Sequence, residues 1–167
     1  MTLGELNAMD EARFVDTLGG VFEHSPWVAQ RAFVDRPFAS VDALHASMVA
    51  AVDRAGETAR LALLRAHPEL AGRAAVRGEL TADSTREQSG AGLDQCTPRE
   101  FARLTELNAR YNARFGFPFI LAVKGYDRAG IIGEFERRAR NDRATELKEC
   151  LAQVARIAGY RLEALLK

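Results

Sequence analysis

The sequence predicts an all-α protein that folds as a single domain, residues 1–167, of about eight helices with one apolar loop at its functional site. Apolar side chains recur at three- and four-residue spacing along most of the chain, which is the period of an amphipathic helix. Capping residues precede several of these stretches. Only one continuous apolar run, residues 117–123, resembles a strand, and no second run could pair with it.

The first helices are indicated by their apolar period and by their capping residues. Residues 3–22 predict one or two short helices, and Asp10 is placed to cap the second. Ser25 followed by Pro26 predicts the next helix start, because serine is a favoured N-cap and proline fits the first helical position.

The following stretch places a histidine at a helix end. Ser40 predicts the start of a helix that ends near Gly56. Residues 57–66 are strong helix formers. Because Pro68 disfavours helical dihedral angles at the preceding residue, we expect the helix to stop at His67.

Two capping-box patterns mark the middle of the chain. Ser84 and Glu87 have the spacing of the first box, which predicts a short helix with Ser84 at the N-cap. Thr97 and Glu100 form the second box. A helical stripe follows it and is closed by Gly116. Its apolar members are Phe101, Leu104, Leu107, Tyr111 and Phe115.

The last third is predicted to contain a loop and two helices. We expect residues 117–123 to form an extended loop or short turn between helices. Residues 130–140 are predicted to be helical, with the basic cluster at residues 137–140 forming a solvated helix face. Asn141 and Asp142 then cap a final helix that keeps its apolar period to the end.

The composition argues against several classes of protein. Twenty-three basic residues balance twenty-three acidic ones, so charge gives no reason to expect nucleic acid or an anionic membrane as partner. Cys96 and Cys150 lack the spacing of a disulfide scaffold or zinc ribbon, which favours free thiols. No apolar run has the roughly 20 residues needed to cross a bilayer, and the first residues carry Glu5, Asp10 and Glu11 where a secretory leader would have a basic region and an apolar core. We therefore expect a cytoplasmic protein.

Acid–base chemistry is the remaining option for a catalytic role. The three histidines have no metal-site spacing, and no glycine-rich phosphate loop occurs, so we expect neither a metal nor a nucleotide. A histidine with an ordinary pKa of about 6.5 can exchange a proton near neutral pH, and a neighbouring carboxylate could fix its tautomer. Taken alone, however, a histidine before proline is more often a helix C-cap, and Glu87 is more often the partner in a capping box, so the residues by themselves favour structural roles.

Several segments together resemble one enzyme family. Its motifs are similar to His67-Pro68-Glu69-Leu70, Ser84-x-x-Glu87-Gln88-x-x-Ala91-Gly92-Leu93, Tyr111-x-x-x-Phe115-Gly116-Phe117-Pro118-Phe119-Ile120 and Ile157-Ala158-x-x-Arg161-Leu162. In order and spacing they resemble 2-oxo-4-hydroxy-4-carboxy-5-ureidoimidazoline (OHCU) decarboxylase over essentially the whole chain. The resemblance implies a cofactor-free decarboxylase of urate degradation that forms (S)-allantoin, with OHCU as its small-molecule substrate and a homodimer as its assembly.

The resemblance also implies a set of site residues. His67 is expected to be the general acid/base, and Glu87 its partner in proton handling. The expected substrate-binding residues are Pro68, Ser84, Thr85, Arg86, Gln88, Phe119, Ile120, Leu121, Ala122, Val123 and Arg161. Backbone N–H groups at a helix start near Ser84 could bind an anionic or ureido group, and Arg161 could bind a carboxylate. Without the resemblance, a surface arginine on the final helix is an equally good interpretation of Arg161.

Two other classes of function remain open. A helical binding module would keep the apolar stripes but would not need His67 and Glu87 to converge. An acid–base hydrolase or isomerase acting on another heterocycle of purine breakdown would share the site residues and release no CO2.

Overall fold

The computed structural model describes residues 1–167 and contains helices but no β-strand. The ten α-helices are α1 (Leu3–Asn7), α2 (Glu11–Leu18), α3 (Trp27–Ala32), α4 (Val41–Asp53), α5 (Glu57–Ala66), α6 (Arg73–Val76), α7 (Ala82–Gly90), α8 (Pro98–Phe115), α9 (Arg128–Arg138) and α10 (Arg143–Leu165). Two short 3-10 helices lie at Phe33–Asp35 and Leu93–Gln95. The all-α prediction is confirmed, and the number of helices is close to the eight expected.

Most helix starts are those that the capping residues predict. The side chain of Asp10 accepts a hydrogen bond from the N–H of Arg13 at 2.9 Å, and Ser40 caps α4 in the same way. At the start of α8 the predicted capping box is present, and Gly116 ends the helix with φ of 77°. That left-handed conformation favours glycine over other residues.

Two local predictions of helix starts are wrong. The helix near Ser25 begins at Trp27, one residue after the predicted first position at Pro26, and the Ser25 hydroxyl donates to the carbonyl of Glu23 at 3.2 Å instead of capping the helix. Ser84 does not cap α7, because Thr81 lies three residues earlier and accepts from the N–H of Ser84 at 3.2 Å.

The chain forms two compact units, one of Met1–Ala66 with Val154–Lys167 and the other of His67–Gln153. In the first unit α3 packs against α2 and α4, and α4 packs against α5. Its core includes Leu6, Phe14, Leu18, Phe22, Val28, Leu44, Met48, Leu63, Leu64 and Leu162. The prediction of a single domain stays a prediction.

In the second unit α8 packs against α9, and aromatic rings fill the space between them and the apolar segment at residues 117–123. Tyr111 makes edge contacts with the rings of Phe117, Phe119 and Phe135, with centroids 5.5 to 6.1 Å apart. Residues 118–123 are buried without regular secondary structure, as the sequence predicts. None of the ten helices is long and apolar enough to cross a membrane.

Candidate active site

His67 directly follows α5 and is buried, with 7 % of its surface exposed. The helix stops at Ala66, as the following Pro68 predicts. The imidazole is therefore carried by a short irregular segment, residues 67–71, whose position depends on contacts with other helices. Pro68, which the family resemblance places among the substrate-binding residues, is half-buried.

Gln88 on α7 holds this irregular segment through both ends of its side-chain amide. The N–H of Ala71 donates to Oε1 at 3.0 Å, and Nε2 donates to the carbonyl of Glu69 at 3.2 Å. From α8, Asn108 donates to the carbonyl of Leu70 at 3.0 Å. The backbone after His67 is thus fixed by two helices.

The end of the segment adopts a backbone conformation that needs such support. Ala71 has φ of 50°, which is uncommon for a residue with a side chain. At Gly72, a Cβ atom would lie 2.6 Å from the Cβ of Glu69, so only glycine fits there. Because Asn112 also donates to the Glu69 carboxylate at 2.6 Å, the turn has little freedom to relax.

Helix α7 presents the predicted site residues on two different faces. Ser84, Glu87 and Gln88 share one face by their three- and four-residue spacing. Ser84 and Gln88 are buried, and Glu87 is half-buried. Thr85 and Arg86 are exposed; Thr85 donates to the carbonyl of Thr81, and Arg86 pairs with Asp83. The hydrogen bonds of Gln88 join this helix, and with it Glu87, to the residues that follow His67.

Helix α7 also borders a cavity of about 480 Å³ that is mostly apolar. Thr85 and Gln88 line it together with Cys96. His67 and Glu87 are not among its lining residues, so we do not assign the catalytic step to this cavity. No group of three or more His, Cys, Asp and Glu side chains is arranged to hold a metal ion.

The apolar segment that carries Phe119, Ile120, Leu121, Ala122 and Val123 is held through its backbone. The carbonyl of Ile120 accepts a hydrogen bond from Arg138 Nη1 at 2.6 Å. The N–H of Ala122 donates to Gln153 Oε1 at 2.9 Å. Both contacting side chains are buried, so the segment is anchored from α9 and α10.

Arg138 lies inside the protein and not on its surface. The prediction of a solvated basic face at residues 137–140 fails for it, because its side chain is fully buried. Its guanidinium forms an ion pair with Glu146, also fully buried, at 2.9 Å and stacks over Phe119 with its Cζ atom 4.4 Å from the ring centroid. Ile131, Phe135 and Arg138 have the spacing of residues on one helix face. This shared spacing with two apolar residues is the feature of the sequence that could have predicted the burial of Arg138.

Tyr111 completes this buried cluster. Its hydroxyl donates to Glu146 at 2.5 Å and lies 3.2 Å from Cys150 Sγ. Burial, followed by the neighbouring thiol and carboxylate, raises the pKa of Tyr111 well above its ordinary value. The phenol therefore stays protonated and remains a donor. Burial likewise raises the pKa of the Cys150 thiol.

Arg161 lies in the other compact unit, on α10. It is buried, with 7 % of its surface exposed, so the alternative of a surface arginine is wrong. Its guanidinium pairs with the buried Glu23 carboxylate at 2.8 Å and donates to the carbonyl of Gly20 at 3.2 Å. Its role in substrate binding stays a prediction.

Comparison with known proteins connects these features with a family. The family model for OHCU decarboxylase matches residues 7–163. OHCU decarboxylase of Haloferax volcanii is 43 % identical over 162 residues, covering 97 % of this chain and 94 % of its own. The uric acid degradation bifunctional protein of Bacillus subtilis is 40 % identical over 161 residues, 96 % of this chain but 32 % of its own.

The solved structure of (S)-allantoin synthase superposes on 99 % of this chain with a TM-score of 0.81 and 28 % identity. This chain spans 54 % of that protein. Because the family model and the Haloferax relative both extend over nearly the whole sequence, this chain belongs to the OHCU decarboxylase family.

Proposed function

We propose that this protein catalyses the decarboxylation of OHCU to (S)-allantoin in urate degradation, with His67 and Glu87 handling the protons. The observation that carries the proposal is the family match across residues 7–163, which includes every residue of the candidate site. No observation favours a binding module or another heterocycle enzyme over this assignment.

The substrate itself supplies much of the chemistry. Loss of CO2 breaks the bond between the carboxyl carbon and the ring carbon and leaves an electron pair on the ring. The conjugated imidazoline can take up this pair, so we propose that no cofactor is needed as an electron sink. A proton must then reach the neighbouring ring carbon, which bears the ureido group, from one face, and the hydroxyl must lose its proton to become the ring carbonyl. Delivery to one face gives a single enantiomer of allantoin. Positioned proton transfer of this kind typically contributes about 10²- to 10⁴-fold in rate.

We assign the acid–base role to His67 and the partner role to Glu87. His67 is buried on a segment that Gln88 and Asn108 hold by hydrogen bonds, which supports a fixed orientation of the imidazole. Glu87 precedes Gln88 on α7, is half-buried, and lies one helical turn after the buried Ser84. It could act on the imidazole or on the substrate, and a closely interacting pair would titrate as a unit.

Substrate binding is proposed to use side chains of α7 and the backbone of residues 119–123. The buried face of α7, with Ser84 and Gln88, supports this role better than the exposed Thr85 and Arg86. Anion binding by unpaired N–H groups at a helix start is not supported, because α7 begins at Ala82 and Thr81 caps the N–H of Ser84. Pro68 and Arg161 remain proposed binding residues.

A cytoplasmic location and a homodimer are also proposed. Cys96 and Cys150 are free thiols, which fits a reducing compartment. The homodimer rests on the family resemblance alone, and the mass in solution by light scattering tests it. A mass of one chain, 18.4 kDa, at assay concentration would exclude the dimer as the active form.

The decisive experiment follows allantoin formation from freshly generated OHCU by circular dichroism. The wild type and His67→Asn are compared at equal concentration after thermal melting has shown both to be folded. We expect fast growth of the (S)-allantoin signal in the wild type alone. A wild type that forms racemic allantoin at the spontaneous rate would exclude the proposed reaction, and full activity of His67→Asn would exclude the assigned residue.

A further inference from the structure

The backbone of residues 118–122 is anchored at every second residue. Cys150 Sγ lies 3.8 Å from the carbonyl oxygen of Pro118, Arg138 Nη1 lies 2.6 Å from that of Ile120, and Gln153 Oε1 lies 2.9 Å from the N–H nitrogen of Ala122. All three anchoring side chains are buried. A period of two is that of an extended chain, in which successive residues direct their backbone groups to opposite sides.

This alternation has a consequence for the residues in between. If the polar groups of Ile120 and Ala122 point towards α9 and α10, then the N–H groups of Leu121 and Val123 point to the opposite side. The anchors therefore determine which backbone groups of the segment are available to a ligand. An apolar segment has no polar side chains of its own with which to orient a polar ring.

Stability alone does not explain why a charged anchor is used. Arg138 and Glu146 are both fully buried, and the cost of removing two charges from water offsets much of their attraction. A buried ion pair is therefore weak evidence for a stabilising role. Its directional hydrogen bond to Ile120, by contrast, sets the orientation of one peptide group.

We propose that Gln153 and Arg138 are positioning residues for the decarboxylase reaction, which orient the backbone of residues 118–122 so that Leu121 and Val123 present their N–H groups to the substrate. Neither residue touches the substrate in this arrangement. The proposal rests on the proposed function, because it assumes that residues 119–123 bind the substrate of that reaction.

Gln153 is the better residue to test, because its surroundings permit a matched rescue. Its Nε2 donates to Glu149 Oε1 at 2.9 Å, while its Oε1 accepts from Ala122. Gln153→Met removes the acceptor and keeps an unbranched side chain with high helix propensity. The exchange variant Glu149→Gln with Gln153→Glu restores an oxygen acceptor for Ala122 and keeps a hydrogen bond between the two side chains.

The experiment measures KM and kcat for OHCU in the wild type, Gln153→Met, the exchange variant and Glu149→Gln as control. We expect KM to rise about tenfold in Gln153→Met with kcat within about twofold of wild type, since one orienting hydrogen bond is lost. The exchange variant and the control are expected to keep KM within about twofold of the wild type.

Two results would overturn the proposal. The first is an unchanged KM in folded Gln153→Met, including the case in which only kcat falls, as it would in a merely destabilised protein. The second is an exchange variant as impaired as Gln153→Met. If Gln153→Met does not fold, the exchange variant becomes the test. It restores an oxygen acceptor for the N–H of Ala122, so the proposal requires it to have the wild-type KM, and a raised KM would overturn the proposal. A wild type without activity would instead reject the proposed function.

Discussion

Gln88 accepts a hydrogen bond from the backbone N–H of Ala71 at 3.0 Å, and this contact holds the turn that follows the candidate catalytic histidine. Ala71 has φ of 50°, a conformation that a non-glycine residue adopts only with support. The same amide donates to the carbonyl of Glu69, so one side chain fixes both sides of Leu70. Gln88, a predicted substrate-binding residue, therefore also holds the backbone that follows His67.

Gln88→Leu is expected to lower both stability and catalysis. The buried N–H of Ala71 would lose its acceptor, which costs about 1–3 kcal/mol of unfolding free energy. Because a small displacement of a catalytic group can cost about 10²-fold in rate, we expect kcat to fall at least tenfold. Urea denaturation and steady-state assays measure the two effects. A folded Gln88→Leu with wild-type kcat would show that the hydrogen bonds do not position His67.

Glu87→Gln is expected to abolish most activity with little change in stability. Because Thr81 caps α7, Glu87 has no capping task, and glutamine has nearly the same helix propensity as glutamate. We expect kcat to fall about 10²- to 10⁴-fold while the melting temperature stays within a few degrees of the wild type.

Thr81→Ala is the matched variant, since it removes the real cap of α7. It should cost about 1 kcal/mol of stability and affect kcat far less than Glu87→Gln does. If Glu87→Gln instead lowers the melting temperature and keeps its activity, the role of Glu87 is structural and the catalytic assignment fails.

The sequence was sufficient to predict features that depend on neighbouring residues. The start of α4 at Ser40, the end of α5 before Pro68 and the capping box of α8 each depend on side chains within four positions. The misplaced start of α7 shows the limit of this approach, since Thr81 and Ser84 are both acceptable caps. Choosing between them depends on how the rest of the helix packs.

Contacts between distant segments could not be predicted in this way. Gln88 and Ala71 are hydrogen-bonded although they are 17 residues apart in the sequence, and Arg138 and Ile120 although they are 18 apart. Contacts at such separations produce no periodic pattern in the sequence from which they could be predicted. A run of arginines usually indicates a solvated surface. Burial of Arg138 depends on Glu146 from the next helix, which supplies the opposite charge.

A double variant can separate a role of Arg161 in substrate binding from its role in the ion pair with Glu23. Arg161→Met removes the guanidinium that lies 2.8 Å from the Glu23 carboxylate and leaves that carboxylate buried without this ion pair. We expect the free energy of unfolding to fall by on the order of 3 kcal/mol. Adding Glu23→Leu removes that charge as well and should recover most of the stability. If Arg161 binds substrate, KM stays raised in the stable double variant. A double variant with wild-type KM would leave Arg161 with a structural role alone.

The charged start of α8 is expected to make stability depend on acid pH. A hydrogen bond from the N–H of Thr97 and, to a smaller extent, the guanidinium of Arg128 lower the pKa of the Glu100 carboxyl from its ordinary 4.5. Since the folded state then binds this proton less readily than the unfolded state, the stabilisation is complete above that ordinary pKa. It is lost as the pH falls through the lowered value.

Melting temperatures of the wild type and Glu100→Gln between pH 7 and pH 3 test this expectation. Glutamine can still complete the capping box but carries no charge for Arg128 at 3.1 Å. We expect the difference between the two proteins to be largest near neutral pH and to shrink below pH 4.5, because protonation then removes the charge in the wild type too. Glu163→Gln, which removes a charge from an exposed position on α10, serves as control. A difference in melting temperature between the wild type and Glu100→Gln that stays constant from pH 7 to pH 3 would contradict the role assigned to Glu100.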